Sequence, residues 1–429
     1  MTSRRQFVAS SAALLGAASL RPGSTADVQQ QQQQGKLPAP IAALTSMRDR
    51  MVPITVDERR ARVAKARRLM AENDLSALML TGGTSLRYFT NIEWWLSERL
   101  LTVVIPREGR AFIVCPAFER DRAQEQVDAG PFDGDADIMT WEEHENPWAL
   151  LATGLRDRQA ATGRIGIEET TWWVYSDGLA KELPSATLTS GTPVTAGCRM
   201  VKSPAELALM RLASEVTLKA YKAAWQCLRE GLTQGEFAEL VRLAHERLGF
   251  SGDAGVQVGP ASALPHGSSK PQVVREGTIL LIDGGCSVGG YASDLSRTFV
   301  LGKATDRMKQ VFDIELRAQT AALKTARPGL PCEAVDAAAR AIIVDAGFGP
   351  GYKYFTHRVG HGMGMDGHEW PYLVKGNTLP LAPGMTFSDE PGIYIPGEFG
   401  IRLEDDMVIT EEGAELFTAQ SQSLEKPFD

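Results

Sequence analysis

Apolar positions along this chain keep two different periods, and the fold class can be read from where the period changes. Within residues 56–74, Val63, Ala66, Leu69 and Met70 recur at three- and four-residue spacing, which predicts an amphipathic helix. Compact apolar runs at 77–80, 101–105, 111–114 and 165–167 then read as strands. Strands alternating with helical stretches make this first half an α/β domain, taken as residues 51–198. Next comes Ser203-Pro204-Ala205-Glu206, a capping box with Pro at the first helical position. It opens the first helix of a second domain, residues 199–429.

The second half repeats itself. Arg229-Glu230-Gly231-Leu232 returns 98 residues later as Arg327-Pro328-Gly329-Leu330, and Gly249-Phe250 returns as Gly347-Phe348. Between them Phe237, Leu240, Val241, Ala244 and Leu248 match Val335, Ala338, Ala339, Ile342 and Ala346, each set spaced as one buried helical stripe. Any two amphipathic helices share that much by chance, but the strands beyond these two are harder to match that way. After each helix comes a Gly, an apolar strand and then an acid, Gly277 leading to Asp283 and Gly384 to Glu390. A second acid lies beyond each turn, Asp294 past Val288-Gly289 and Glu404 past Gly397. Two β-hairpins would each bring their two carboxylates roughly opposite one another across a ladder. This half therefore reads as an α+β domain with an internal pseudo-twofold repeat, one acid pair per copy.

Asp283 and Glu390 end apolar strands, so the four acids meet at depth. Ionised carboxylates crowded there repel and shed charge unless cations neutralise them. Two divalent ions balance four carboxylates, and such ions sit about 3.5–4 Å apart as a clamp on the attacking and leaving oxygens. Loop caps or surface salt bridges would explain single acids but not a two-plus-two arrangement. Of six histidines, His357, His361 and His368 fall in one short Gly-rich segment, and His266 stands just ahead of the first acid strand. Imidazole supplies a metal ligand or a proton carrier near neutral pH. His144 and His245 stand apart and read as solvated positions.

With these residues in place, the second half resembles the pita-bread metallopeptidase family, which includes prolidase, Xaa-Pro aminopeptidase, methionine aminopeptidase and creatinase. Residues 281–285 with 290–298 resemble its first acid motif, and 357–369 its histidine motif. Ser388-Asp389-Glu390-Pro391-Gly392 resembles its glutamate motif, and Gly400-Ile401-Arg402-Leu403-Glu404-Asp405 its last. The four stand in the family's order over about residues 200–412, and 86–91 are similar to its N-terminal domain. The resemblance implies a pita-bread catalytic domain behind a creatinase-like one. It makes Asp283, Asp294, His361, Glu390 and Glu404 ligands of two divalent metal ions, with Asp294 and Glu404 bridging. Manganese is expected first, with Co, Zn or Fe as alternatives, since mixed O and N ligation suits all of them. Glu390 would shuttle the proton of the attacking water. His266, His357 and His368 would bond the scissile carbonyl or its oxyanion, and Arg402 would hold Glu404 through a charged hydrogen bond. The resemblance also implies a homodimer, with Trp94, Trp95 and Arg99 reaching the partner's site. Two departures bear on the substrate pocket: small residues at Gly284 and Cys286, and no Asn in residues 260–264 ahead of His266.

Composition removes other classes. The net charge of −8, with Lys and Arg scattered, argues against a nucleic-acid or anionic-membrane partner. Five cysteines without CxxC spacing argue against a disulfide scaffold or a thiolate zinc site. Arg4-Arg5, an uncharged stretch over 8–20 and small residues Ser24 and Ala26 resemble a twin-arginine signal peptide over 1–26. That implies export to the periplasm or beyond. No apolar run reaches membrane-span length, so no anchor is expected in the mature chain. Residues 27–50, opening on the run Gln29 to Gln34, are expected as a solvated linker. The function expected is an exported dimetal exopeptidase that hydrolyses Xaa-Pro peptide bonds. The alternatives are a metal-dependent hydrolase or lyase of a small non-peptide substrate, and a catalytically dead binding module, which the presence of all five ligands disfavours.

Overall fold

A computed structural model describes residues 37–132 and 134–429. The expected signal peptide lies outside the described residues.

In the N-terminal domain β1 (Ala77–Thr81), β2 (Thr102–Pro106), β3 (Phe112–Pro116), β4 (Asp137–Trp141), β5 (Arg164–Ile167) and β6 (Thr187–Ser190) form one mixed sheet. Its order is β4-β3-β2-β1-β5-β6. β1 to β3 are buried at every position, because helices cover both faces. The period-2 pleat divides β1 between two cores. Leu78 and Leu80 pack with Val63, Ala66 and Met70 of the helix Val56–Glu72. Ala77 and Met79 pack with Leu151, Leu155 and Leu179 of the helices on the other face.

The C-terminal domain opens on the helix Pro204–Trp225, whose Ser203–Glu206 capping box closes as expected. It pairs with the helix Gln234–Leu248. Then come β7 (Gly252–Val258), β8 (Ile279–Val288), β9 (Tyr291–Ala292) and β10 (Leu295–Val300), in a sheet ordered β10-β8-β7 with β9 against β8. The second copy repeats the plan with the helices Asp306–Thr325 and Cys332–Asp345. After them run β11 (Gly360–Gly362), β12 (Glu369–Leu373), β13 (Thr386–Asp389), β14 (Gly392–Ile395), β15 (Phe399–Arg402), β16 (Asp405–Ile409) and β17 (Ala414–Leu416). Five of these form a sheet ordered β12-β11-β13-β16-β17, and β14 pairs with β15. The repeat is therefore real, but the second stripe lies three residues earlier along Cys332–Asp345 than expected. Its buried residues are Cys332, Val335, Asp336, Ala339 and Ile343, not Ala338, Ile342 and Ala346. Asp336 is buried because it receives a fork from Arg340 at 2.9 Å and the Val359 N–H at 2.9 Å.

The linker expected over 27–50 fails where it is described; residues 27–36 lie outside the described residues. Residues 39–50, expected as solvated linker, pack on the C-terminal domain instead. Ile41 is fully buried and Met47 nearly so, among Leu209, Leu212, Val216 and Leu248. Met47 N–H donates to the Leu248 carbonyl at 2.9 Å, and Arg50 forks onto Glu215 at 2.7 and 2.8 Å. Ile41→Ala should therefore lower unfolding stability by about 2–4 kcal/mol, as buried Ile truncations do. Chemical denaturation checks this; a change within about 0.5 kcal/mol would return the segment to linker status.

Candidate active site

The acid pairs are set by hairpin register. β8 and β10 pair Asp283 with Ser296, and the same register carried on puts Asp294 opposite Gly285. The first two carboxylates thus lie diagonally, two positions apart, within the rough opposition expected. The reason is the turn, which runs through Gly289 and Gly290 with Val288 paired to Tyr291. Gly285 is needed here: a Cβ would lie 1.8 Å from the Ser293 carbonyl oxygen. In the second hairpin β13–β16 and β14–β15 share one register, which sets Glu390 opposite Glu404 where the ladder breaks.

The hairpins lock to each other behind the acids. Ser296 Oγ lies 2.8 Å from Asp283 Oδ1 and 2.6 Å from Glu404 Oε2, and the Glu404 N–H donates to the Ser296 carbonyl. Arg297, fully buried, binds Asp405 at 2.6 Å and the Glu404 carbonyl at 2.8 Å. His361 on β11 enters beside them, its Nε2 3.1 Å from Glu390 Oε1 and 3.8 Å from Asp294 Oδ2. The His368 ring stacks on it with centroids 3.7 Å apart.

Three groups bring ligand atoms within 4.8 Å of one another: Asp283, Asp294 and Glu404; His361, Glu390 and Glu404; and Asp294, His361 and His368. All five expected ligands are therefore assembled, with His368 in reach. Electrostatics fit cations at this spot. Burial, with Asp283 beside it, raises the Asp294 carboxyl well above the usual carboxylate range. Glu404 is raised by burial and by Asp294, Glu390 and Asp283. Glu390 goes the other way: burial opposes its charge, but the His361 hydrogen bond and charge, with His357 and Arg402, hold it low. The same bond raises His361 against its own burial. Divalent ions bound by these side chains would remove the repulsion that raises Asp294 and Glu404.

Arg402 corrects another expectation. Its Nη2 lies 2.6 Å from Asp283 Oδ2, and it reaches Glu404 only through Ser296, to which Nε donates at 2.9 Å. Its Nη1 donates to Tyr394 Oη at 2.8 Å and to the Pro265 carbonyl at 3.2 Å. Tyr394 Oη in turn lies 2.8 Å from His357 Nε2, while His357 Nδ1 faces the Arg358 carbonyl at 2.8 Å. A carbonyl only accepts, so Nδ1 carries the proton and Nε2 accepts from Tyr394. Burial lowers the His357 pKa, against the pull of Glu390. Both its nitrogens are thus engaged by protein. Sequence reasoning misses Tyr394, although it shares strand parity with Glu390 and Gly392. His266 is exposed and lines the site.

These residues surround an open cavity of about 590 Å³, with Arg358 and Val374 completing the wall. Arg358 stacks over Tyr372, 4.1 Å from the ring centroid. Trp94, Trp95 and Arg99, expected to reach a partner's site, do not line the cavity of their own chain. The two indoles stack on each other under Arg122, and Arg99 binds Glu143 at 2.7 Å. His245, expected as solvated, is instead buried, with Nδ1 2.9 Å from the Val241 carbonyl.

Carboxylates and imidazole grouped at the junction of two such hairpins define a metal-dependent hydrolase. Residues 208–411 match the metallopeptidase family M24 and residues 62–201 the creatinase/prolidase N-terminal domain. The chain is 32% identical over 366 residues to the Xaa-Pro dipeptidase of Lactobacillus delbrueckii subsp. lactis, covering 84% of this chain and 97% of that protein. Dipeptidase PepE from Mycobacterium ulcerans superimposes with a TM-score of 0.80 at 31% identity, over 87% of this chain and 98% of that one. A prolidase from Thermococcus sibiricus does so with a TM-score of 0.78 at 28% identity, over 87% and 99%. The chain belongs to metallopeptidase family M24, in its prolidase branch.

The electrostatics carry a pH consequence. Where folding raises the pKa of Asp294 and Glu404, the folded metal-free protein holds protons that the unfolded chain has released, so its stability falls as pH rises. Divalent ions take the place of those protons. The rise in melting temperature on adding metal should therefore widen from about pH 5.5 to about pH 8. Thermal scans with and without Mn²⁺ check it; a gap that narrows with pH would contradict the assignment.

Proposed function

We propose that this metallopeptidase is an exported, dimetal Xaa-Pro dipeptidase. The observation that carries the reading is the site itself: Asp283, Asp294, His361, Glu390 and Glu404 converge on one cavity whose wall also presents the Arg358 guanidinium. Divalent ions held by those five residues would polarise the scissile carbonyl and acidify the attacking water. The chain's own groups do the rest. Glu390, kept ionised by His361, takes the proton of the water and returns it to the leaving nitrogen. A prolyl nitrogen has no N–H to steer it, so the grip must fall on the carbonyl side and on the chain ends. His266 and His368 face the cavity there. Arg358, with no carboxylate partner among the described residues, offers a charged fork for the free carboxylate of a dipeptide. Relatives whose names read Xaa-Pro dipeptidase support the same substrate.

Oxygen-rich ligation favours manganese over softer choices. A homodimer is the assembly we infer, and exposed Trp95, Phe118, Trp172 and Trp173 on the N-terminal domain support it by leaving apolar surface to cover. Export rests on Arg4, Arg5 and the uncharged stretch after them. Among the described residues no helix is long and apolar enough to cross a membrane.

Kinetics on Ala-Pro, Ala-Pro-Ala and Ala-Ala, with Mn²⁺, Co²⁺ and Zn²⁺ tried separately, test the substrate. Ala-Pro should be preferred, and Glu390→Gln should cut turnover by roughly 10²–10⁴-fold, further than it cuts metal content. Arg358→Met should raise KM for Ala-Pro by roughly 10-fold or more while sparing Ala-Pro-amide. Equal rates on Ala-Ala would sink the proline reading, and no cleavage of any peptide would favour a small non-peptide amide or ester. Separately, changing Arg4 and Arg5 together to Lys should leave unprocessed precursor in the cytoplasm; normal processing of that variant would remove the twin-arginine route.

A further inference from the structure

The ring of His368 is exposed at the cavity wall, stacked on His361 and within ligand reach of Asp294. What fixes its backbone is the next residue. Glu369 is buried at the start of β12, and two buried cations from the segment joining the domains take its carboxylate. Lys202 Nζ lies 2.6 Å from Oε1, and Arg199 Nη2 binds Oε2. The same Nη2 holds Asp366 Oδ2 at 2.6 Å, and Thr84 of the N-terminal domain donates to the other Asp366 oxygen. Gly364 makes room for the clamp: a Cβ there would lie 2.5 Å from Glu369 Oε1 and 2.8 Å from Lys202 Cε. Its carbonyl accepts from Ala292 N–H at 2.7 Å, two residues ahead of Asp294. Two cations meet two carboxylates, with the buried Glu168 also within electrostatic reach of Arg199. Such buried clusters return little more than their desolvation costs, so stability alone is a poor reason for one; fixing a geometry is the better-attested use.

We propose that Arg199 and Lys202 are positioning residues for the reaction: by pinning Glu369 and Asp366 they fix the His368 ring over the metal ligands. The catalytic part of this rests on the peptidase reading above. Neither cation lines the metal cavity, so both act through the loop that carries His368. Charge alone is not enough. Arg199 bridges two carboxylates with one guanidinium, which a lysine ammonium on a flexible stem does not reproduce.

The test is a double-mutant cycle. Arg199→Lys keeps the charge and loses the fork; Glu369→Gln keeps the shape and loses the charge. Each should lower kcat by roughly 10-fold or more, as substitutions that loosen a site residue's support do, with KM and metal content near the parent values. In a His368→Ala background the same substitutions should change kcat by less than about 2-fold. Equal losses in both backgrounds would overturn the proposal, since the clamp would then act elsewhere. Should Glu369→Gln fail to fold, the charge-conserving Arg199→Lys carries the cycle. A second arm reads His368 without turnover. In metal-free protein with ¹³C-labelled histidine, the His368 Cε1–Hε1 signal should be single and sharp, and displaced or broadened by Arg199→Lys while that of His245 stays put. An unmoved His368 signal overturns the positioning role even if Xaa-Pro hydrolysis is confirmed. If the parent hydrolyses no Xaa-Pro peptide, the substrate reading fails and this second arm alone decides the clamp.

Discussion

Four carboxylates held within a few ångströms of one another below the surface are the constraint on which the rest of this molecule turns. Isolated, such a group would give up its charge rather than stay buried. The chain answers in part. Arg402 sits on Asp283, His361 on Glu390, and the Ser296 hydroxyl lies between Asp283 and Glu404. Asp294, with His361 no nearer than 3.8 Å, and Glu404 are left without a close cation, and both carboxyls are pushed upward. The protein's own cations reach one acid of each hairpin and leave the other, a distribution that suits ions shared between the two halves of the repeat.

Holding that arrangement open before any ion arrives requires stiffness. Each acid sits within or directly beside a ladder rather than on a free loop, so its position is fixed by register. The hairpins are then tied to each other through Arg297, Asp405 and the Glu404 backbone, a pair with no exposed surface at all. Removing one member of such a pair strands the other, typically at about 3–5 kcal/mol. It selects one docking of the two hairpins over neighbouring ones. A slip of one residue would turn every side chain of that strand to the opposite face and disperse the acids.

The candidate metal ligands are legible in the sequence because strand parity and apolar burial are local signals: an acid ending a run such as Ile279 to Ile282 has nowhere polar to go. The diagonal offset of Asp283 and Asp294 is not legible, since it depends on which glycine carries the turn. β4 and β6 escape the sequence reading because they are edge strands, half open to solvent, and lack a continuous apolar run. Ile41 gives no signal because its short, proline-flanked segment shows no period, and its burial comes entirely from the second domain. The partner of Arg402 cannot be read either. Glu404 is its neighbour in sequence, but Asp283 is its neighbour across the hairpins.

Among the described residues the N-terminal domain places no side chain in the acid-lined cavity of its own chain, yet it grips the catalytic domain at two places that adjoin it. Arg62 reaches Tyr291 Oη at 2.9 Å and Glu206 at 3.4 Å, beside the turn that leads to Asp294. Thr84 binds Asp366 in the loop that leads to His368, and Ser85 lies 3.3 Å from Arg199. Both segments carry site residues shortly past a glycine, Gly290 before Asp294 and Gly367 before His368, where the backbone has the most freedom to lose on folding. Buried hydrogen bonds to charged groups are the stronger class, each worth about 1.5–3 kcal/mol. Placed at these two points they oppose that entropy where loosening would move Asp294 or His368. The domain interface is in this sense part of the site: it carries no chemistry, but it limits how far these two margins of the metal cluster can drift.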